Sequence, residues 1–279
     1  MASTDRLDHT AINVKHDMDT AEILFGQMGF TLTPRGYHSH GSMNHLMMFG
    51  TDYLELIGIP AGKEIERKDL MTAPLGINGL VFKTDNVDTI YARLQDADFA
   101  GDPPRAFHRP VEIDGGEQDA KFRTVTVRSG IFPGGRVYYC EHGTPDLVWR
   151  PEWQIHANGV VAMPEFVTVA EDADGEAARF AALLATTVEM DGNGARCATL
   201  DGCRITVLTP DQYGQRYGEL ASPTNGRAGI FGAMVFATDD LAATNDLLDN
   251  VAAIETTRFP SRTIVRAGDY DAVMEFVQV

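Results

Sequence analysis

Apolar and polar residues alternate along short stretches of the chain, and the first of these stretches is followed by a segment with helical spacing. Residues 7–14 alternate as a strand, and apolar positions from Met18 to Met28 then recur at helical spacing until Gly29. Further strands are predicted at 30–34, 43–49 and 52–58. The pattern therefore predicts a β-α-β-β-β unit.

The same unit returns three times, with first strands near 78–84, 165–169 and 231–236. Helical spacing follows each of these strands, and the later strands are predicted at 122–128, 136–142, 187–190, 196–200, 203–208, 254–258, 262–266 and 272–278. The polar stretch 101–121 is predicted to be a loop. Because one such unit cannot cover its own sheet, two units are expected to pair into each domain.

The chain of 279 residues is comfortable for two domains. We predict an α+β fold of four βαβββ modules, with a first domain over 1–143, a connector over 144–155 and a second domain over 156–279. The run 63–69, rich in acidic and basic residues, is expected to be a solvated link between modules one and two.

Charge and composition exclude several classes of function. The net charge of −17 argues against a nucleic-acid surface and against an anionic membrane surface. No apolar run approaches the roughly 20 residues of a membrane span, and residues 1–6 lack the features of a signal peptide. The three cysteines do not form a disulfide framework, although Cys197 and Cys203 could pair; a cytoplasmic location is expected.

Glu55 is the most informative polar residue of the pattern. It shares one strand face with Tyr53 and Ile57, and the opposite face carries Leu54 and Leu56. A carboxylate buried in this way needs a cation, a hydrogen-bonded network or a metal. Pairing with Arg35 or Arg136 is the structural alternative.

Several motifs, taken in order, resemble the vicinal oxygen chelate superfamily, and within it the glyoxalase-like branch. The motifs are Leu7-Asp8-His9, the run Gly29–Gly36, His38 with Gly41-Ser42-Met43-Asn44, Tyr53-Leu54-Glu55-Leu56, and the stretch 132–153, which looks like bacterial proteins of this branch. The resemblance covers residues 7–154, and for 156–279 it depends on the repeat pattern alone.

The resemblance implies two half-barrel domains, and a divalent metal held on a concave sheet by ligands from the first and last strands of each module. In module one these positions are His9 and Glu55. In module two they fall on Asn78 and near Cys140, so the third ligand could be His142 or Glu141. Imidazole and carboxylate ligands suit Fe, Mn, Ni or Zn. An ordinary strand histidine bonded to the backbone is the alternative for His9.

The activity that the resemblance implies is that of a metal-dependent lyase or isomerase acting on a small oxygen-bearing substrate. Glu141 or His142 would be the catalytic base, and the expected substrate-binding residues are His38, Asn44, Tyr53, Asn78 and Tyr138. The alternatives are a ring-cleaving extradiol-type dioxygenase and a metal-free protein that sequesters a small molecule. A homodimer is also compatible with the resemblance.

The remaining candidates have plainer interpretations. Arg105, His108 and Arg109 could close over an anionic substrate, or they could be solvated in the predicted loop. In the second half the ligand positions are expected to hold Pro164, Gly232, Ile205 and Glu275, a set that cannot bind a metal. The second half is therefore expected to be structural or to form a dimer contact.

Overall fold

The first half of the chain folds into two of the predicted modules. A computed structural model describes residues 5–113 and 115–279; residues 1–4, part of the segment tested for a signal peptide, and Asp114 of the predicted loop lie outside the described residues. The elements of this half are β1 (Arg6–Lys15), α1 (Met18–Gln27), β2 (Gly36–Tyr37), β3 (Met43–Met48), β4 (Tyr53–Gly58), α2 (Lys68–Thr72), β5 (Gly76–Lys83), α3 (Val87–Asp96), β6 (Arg105–Ile113), β7 (Gly116–Thr126) and β8 (Arg136–His142).

These strands form one eight-stranded sheet in the order β2-β3-β4-β1-β5-β8-β7-β6. Within each module the first strand runs parallel to the last, as β1 does beside β4 and β5 beside β8. The first strands of the two modules, β1 and β5, meet as an antiparallel pair at the centre of the sheet. The two modules therefore lie side by side, and their last strands flank the central pair.

The second half repeats this arrangement. Its elements are β9 (Val160–Ala170), α4 (Ala173–Leu183), β10 (Val188–Met190), β11 (Arg196–Leu200), β12 (Cys203–Leu208), α5 (Pro210–Tyr217), β13 (Gly229–Thr238), α6 (Leu241–Leu248), β14 (Glu255–Phe259), β15 (Arg262–Ala267) and β16 (Ala272–Gln278). The sheet order is β10-β11-β12-β9-β13-β16-β15-β14, which matches the first sheet strand for strand. The predicted α+β class and the four βαβββ modules are confirmed.

One apolar core lies between the two sheets. It contains residues of both halves, and Phe30 contacts Phe236 with ring centroids 5.7 Å apart. The hydroxyl of Thr10 on β1 donates to the sulfur of Met234 on β13, at 3.1 Å. One face of β1 and β5 packs in this core, so the opposite face of the first sheet is free to line a cavity.

The segment 144–155 contains two 3₁₀ turns, Pro145–Leu147 and Pro151–Trp153. Trp153 is buried, and the ring of Trp149 lies 4.8 Å from that of His142. The first sheet ends before this segment and the second begins after it. The domain limits given above stay a prediction.

Three parts of the local interpretation are wrong. Most of the predicted loop 101–121 is hairpin, because residues 105–113 and 116–121 belong to β6 and β7, although most of their side chains on one face are exposed. Residues 30–34 lack strand structure. The run 63–69 is not fully solvated, because Arg67 is 7% exposed just before α2.

Among the described residues, no helix combines the length and the apolar character needed to cross a membrane. Cys140, Cys197 and Cys203 are buried free thiols, so the considered pairing of Cys197 with Cys203 is absent.

Candidate functional site

A cavity of about 850 Å³ lies on the concave face of the first sheet. It is bounded by β1 and β4 on one side and by the β6–β7 hairpin and β8 on the other. Residues of both modules line it, among them His9, His38, Asn44, Tyr53, Glu55, Asn78, Arg109, Arg136, Tyr138 and Cys140. Seven of the eight residues predicted to touch metal or substrate thus face one cavity; the exception is His142.

A bulge in β1 places two neighbouring side chains close together. The pairing of β1 with β5 shifts between Leu7 and His9, which leaves Asp8 as the extra residue. The side chain of Asp8 is fully buried, and its Oδ2 lies 2.7 Å from Nδ1 of His9. Without the shift in register, strand alternation would send these two side chains to opposite faces.

Asp8 is an ionised carboxylate. Burial alone would raise its pKa, but the charge and hydrogen bond of His142, with further contributions from His9, lower the pKa below its ordinary value. An ionised carboxylate only accepts hydrogen bonds, so Nδ1 of His9 carries the proton that is donated to Asp8. The other ring nitrogen, Nε2, faces the cavity, and in the neutral form of the imidazole this atom carries the lone pair.

Glu55 lies on the same face as His9. Its Oε2 atom is 3.6 Å from Nε2 of His9, and its Oε1 accepts a hydrogen bond of 2.7 Å from Nδ2 of Asn44. The rival pairings of Glu55 are not formed, since Arg35 binds Glu22 and Arg136 binds Asn78. Two electron-rich atoms thus face each other across a short gap, where a cation or a proton would be stabilised.

His38 and Asn44 extend the site toward β2. Nε2 of His38 lies 3.3 Å from Nδ2 of Asn44, and Nδ1 of His38 lies 2.8 Å from the hydroxyl of Ser42. Burial, together with the positive charge of neighbouring groups such as Arg109, lowers the pKa of His38 well below its ordinary value. His38 is therefore a neutral acceptor at neutral pH.

Two tyrosines enclose the imidazole of His9. The ring of Tyr53 stacks on it with centroids 4.4 Å apart, and the hydroxyl of Tyr138 lies 3.2 Å from Nε2. Burial, and then the charge of Glu55, raise the pKa of Tyr138. The phenol keeps its proton and donates it toward Nε2 of His9 or toward a ligand at the same place.

The structure corrects the roles expected for two residues of β8. His142 lies behind the site, among Phe122, Tyr53 and Trp149, and its Nε2 donates to both oxygens of Asp8 at 3.0 Å. His142 does not line the cavity with His9 and Glu55, and it is linked to His9 only through the carboxylate of Asp8, which both histidines contact.

Glu141 lies on the opposite face of β8, where its Oε2 accepts from the backbone N–H of Val87 at 2.9 Å, at the start of α3. Alternation along β8 is unbroken in its pairing with β7, so the side chains of Tyr138, Cys140 and His142 point inward and that of Glu141 points outward. Glu141 cannot act as a base in the cavity from this position.

Asn78 and three arginines form the far wall of the cavity. Asn78 Oδ1 accepts from Nε of Arg136 at 2.9 Å, so its amide is used within the wall. Arg67 forms a bidentate ion pair with Asp69, at 2.8 Å for the shorter contact. Arg109, on β6, is 2% exposed and is the most deeply buried of the three. The sequence placed Arg109 in a loop, and the missed signal was the alternation of Phe107, Arg109 and Val111.

In the second sheet, an arginine and two buried carboxylates lie close together. Glu165 pairs with Val235 and Arg204, as His9 pairs with Val81 and Tyr53, so the position of His9 corresponds to Glu165 and not to Pro164. Arg216 of α5 binds Glu165 at 2.8 Å and Glu275 at 2.9 Å. One guanidinium therefore lies between both buried carboxylates, and a structural or dimer-forming role for the second half stays a prediction.

The donors at His9 and Glu55 fit a divalent metal ion. A histidine whose second nitrogen is held by a carboxylate is typical of metal ligands, and the facing carboxylate supplies the next ligand. Among the described residues, only Asp8, Cys140 and His142 bring three possible ligand atoms of acidic, cysteine or histidine side chains within 4.8 Å of one another. In that group Asp8 is already engaged by two histidines, so His9 and Glu55 are the better-placed pair.

Comparison with known proteins agrees with the fold. The family profile described as a glyoxalase-like domain matches residues 7–184, which is more than half of the chain. No curated protein matches the sequence.

Solved structures resemble the chain over nearly its whole length. A hypothetical protein from Staphylococcus aureus is 9% identical with a TM-score of 0.69, covering 99% of this chain and 100% of that one. A mutant of 4-hydroxymandelate synthase from Streptomyces coelicolor is 14% identical with a TM-score of 0.58, covering 100% and 93%.

A xylose isomerase-like TIM barrel/4-hydroxyphenylpyruvate dioxygenase fusion protein is 12% identical with a TM-score of 0.62, covering 100% of this chain and 50% of that one. At these identities the likeness shows the fold alone. Taken with the duplicated modules and the family match, it shows that the chain belongs to the glyoxalase-like domain family of the vicinal oxygen chelate superfamily.

Proposed function

We propose that this protein is a metal-dependent enzyme of lyase or isomerase type that acts on a small oxygen-bearing molecule in the cavity of the first sheet. The observation that carries the proposal is the 3.6 Å approach of His9 Nε2 to Glu55 Oε2, with His9 oriented by the buried carboxylate of Asp8. Fe, Mn, Ni or Zn would suit these ligands.

A divalent ion held there would act as a Lewis acid toward oxygen atoms of the substrate. The protein side chains provide the rest of the environment. Asn44 fixes one oxygen of Glu55, and neutral His38 accepts from the same amide and so helps to hold it. Tyr138 offers a phenolic proton beside His9. The aromatic walls formed by Tyr53 and Tyr138 exclude water around the reacting atoms.

A second candidate is a metal-free protein that binds and sequesters a small molecule. It is favoured by the ligand set, since no further acidic, cysteine or histidine side chain among the described residues joins His9 and Glu55 as a third ligand. In that case the proton of Tyr138, or a protonated His9, would occupy the gap that faces Glu55. A ring-cleaving dioxygenase, the other alternative, has no observation in its favour beyond the shared fold.

Metal analysis separates these candidates. Protein purified without chelator or added metal should contain stoichiometric Fe, Mn, Ni or Zn, measured by inductively coupled plasma mass spectrometry. The metal should be lost in His9→Ala and in Glu55→Ala and retained in His108→Ala, a matched variant at an exposed histidine that pairs with Asp119. Metal-free wild-type protein, or metal retained in both site variants, would contradict the enzyme proposal.

The remaining expectations are proposals of the same kind. A small molecule is the expected partner, and neither nucleic acid nor a membrane surface is expected for a chain of net charge −17. A cytoplasmic location is proposed from the three free buried thiols. A homodimer is proposed from the family alone and would be tested by analytical ultracentrifugation.

A further inference from the structure

Arg109 is a buried cation that lacks a counter-ion in the part of the chain that the structure describes. It is 2% exposed, and its Nε and Nη2 atoms are buried without a hydrogen-bond partner. No ion pair links it to a carboxylate of the described residues within 4.0 Å. Burial lowers the pKa of Arg109, although Tyr53 and Glu55 act in the opposite direction.

A guanidinium buried without a partner costs several kcal/mol, so an arginine retained in this state calls for an explanation. The β6–β7 pairing fixes the position of Arg109 opposite Ala120, with its side chain against the backbone of Gly36. A Cβ at Gly36 would lie 2.6 Å from Oδ1 of Asn44 and 2.7 Å from Cδ and Nη1 of Arg109, so a side chain there would displace one of these groups.

Two other arginines of the cavity have N–H donors without a hydrogen-bond partner. Arg67 and Arg136 share one carboxylate, Asp69, at 2.8 Å and 3.4 Å. Burial would raise the pKa of Asp69, but the hydrogen bonds and charge of Arg67 lower it to about 2, so this carboxylate is ionised. Nη1 of Arg67 and Nη2 of Arg136 remain buried without a partner. One carboxylate therefore serves two guanidinium groups, and both line the same cavity as Arg109.

The other groups that line the cavity do not supply a counter-ion for Arg109. Five arginines and four carboxylates line it, in a chain whose net charge is −17. Glu55, the buried carboxylate nearest to the reacting centre, is held by Asn44 and faces His9. Burial, together with the charge of Arg67, lowers the pKa of His40 to about 4, so this histidine is uncharged at neutral pH. Since Arg128 also pairs with Asp98, the lining is close to neutral by count, although the chain as a whole is strongly acidic.

We propose that the cavity binds an oxyanion group of its ligand, a carboxylate or a phosphate, with Arg109 as the principal counter-ion and Arg67 and Arg136 as flanking donors. Arginine presents parallel N–H donors that match both oxyanions. The inference deepens the proposed function, because it makes the substrate of the His9–Glu55 centre an anionic molecule. The anion site itself does not depend on a bound metal.

Calorimetry with defined anions tests the proposal on metal-stripped, extensively dialysed full-length protein at constant ionic strength. The probes are inorganic phosphate, succinate and neutral succinamide. Wild-type protein should bind phosphate or succinate and should not bind succinamide; whichever anion binds identifies the source of the oxyanion. Binding of neither anion, or equal binding of succinamide, would overturn the proposal.

Variants then locate the site. Arg109→Met should weaken anion binding by about tenfold or more, the equivalent of about 1.4 kcal/mol, and Arg109→Lys should retain part of the affinity. Arg123→Met is the matched control, because Arg123 lies in the same hairpin but pairs with exposed Asp88. Unchanged binding by Arg109→Met would overturn the assignment.

Because the wild-type guanidinium is uncompensated, Arg109→Met should unfold at an equal or higher urea concentration than wild type. If it fails to fold, Arg136→Met provides a second binding test, with a smaller loss expected because Arg136 is a flanking donor; unchanged anion binding by Arg136→Met would then overturn the assignment. Anion binding through Arg109 in a protein that never holds metal would refute the enzyme proposal and keep the anion site. If the protein holds metal and Arg109→Met binds the anions as tightly as wild type, the anion site would be refuted and the enzyme proposal kept.

Discussion

Oδ2 of Asp8 accepts a hydrogen bond from Nδ1 of His9 at 2.7 Å, although the two residues are neighbours on one strand. The bulge between Leu7 and His9 makes this contact. It fixes the tautomer and orientation of the imidazole, and the same carboxylate also holds His142. Asp8 is therefore a positioning residue for the proposed metal ligand.

Asp8→Asn should weaken metal binding without abolishing it. An amide holds the ring of His9 less firmly and can favour the wrong tautomer, and loss of such partners typically lowers metal affinity by about 10–100-fold. Competition with a chromophoric chelator measures the affinity. Asp119→Asn, at an exposed carboxylate that also pairs with a histidine, is the control and should bind as wild type. Wild-type affinity in Asp8→Asn would contradict the positioning role.

Glu141→Gln should leave metal content and anion binding unchanged, because the side chain points away from the cavity toward α3. Its carboxylate lies at a helix N-terminus, so neutralising it should cost about 0.3–1 kcal/mol of stability. Metal analysis, calorimetry with phosphate or succinate and urea unfolding measure the three quantities. Loss of metal in Glu141→Gln with unchanged stability would contradict this placement and would mean that Glu141 contributes to the metal site.

Asp52 gives the fold a distinctive pH dependence. It is 5% exposed at the junction of the two halves, where Oδ1 accepts from the backbone N–H of Met163 at 3.2 Å. Burial raises its pKa to about 7 from an ordinary value of 3.8. Between these two values the folded protein holds a proton that the unfolded chain has released.

The contribution of Asp52 to stability is therefore fully present below about pH 4 and is lost as the pH rises to about 7, at roughly 1.4 kcal/mol per unit of pKa shift. Asp52→Asn keeps an acceptor for Met163 and removes the proton equilibrium. The melting temperature of the variant relative to wild type should rise between pH 4 and pH 7. Asp246→Asn, at an exposed position, should show no such trend, and parallel pH profiles for wild type and Asp52→Asn would refute this account.

The sequence predicted most of the modules because their buried strands and amphipathic helices carry strong periodicity. Strand β6 and the first half of β7, up to residue 121, were missed because their outward side chains are polar, and a polar stretch without clear periodicity is typical of a loop. Helix α5 was also missed, although Thr209 and Gln212 form a capping box that is visible in the sequence.

The site was predicted unevenly for related reasons. His9 on β1 and Glu55 on β4 lie on one face of the sheet and approach each other to 3.6 Å, and their role as metal ligands stays a prediction. The role of Asp8 depends on a bulge, which strand alternation does not reveal. In the second half a one-residue offset placed Pro164 where the strand pairing has Glu165. The neutralisation of that acid by Arg216 depends on a helix that the periodicity did not show.

Arg216 bonds two buried carboxylates of the second half, Glu165 and Glu275. Each of them also bonds a second arginine, since Arg204 pairs with Glu165 and Arg262 pairs with Glu275 at 2.9 Å. Arg216→Met should therefore lower the free energy of unfolding by about 1–3 kcal/mol, less than the roughly 3–5 kcal/mol of a buried pair broken from one side. Arg258→Met, which breaks an exposed pair with Asp249, should cost about 0–1 kcal/mol.

The pH dependence of this loss identifies its cause. In the wild type, burial would raise the pKa of Glu165, but the hydrogen bonds and charge of Arg216 lower it to about 2, so this group stabilises the fold above its ordinary pKa and the contribution is lost as the pH falls toward 2. In Arg216→Met only Thr206 and Arg204 oppose the effect of burial, so the pKa of Glu165 is higher than in the wild type and protonation relieves part of the loss. The difference in urea midpoint between wild type and variant should therefore narrow as the pH is lowered from 7 to about 4. A difference that is independent of pH would mean that Arg216 stabilises the second sheet by packing and not by its charge.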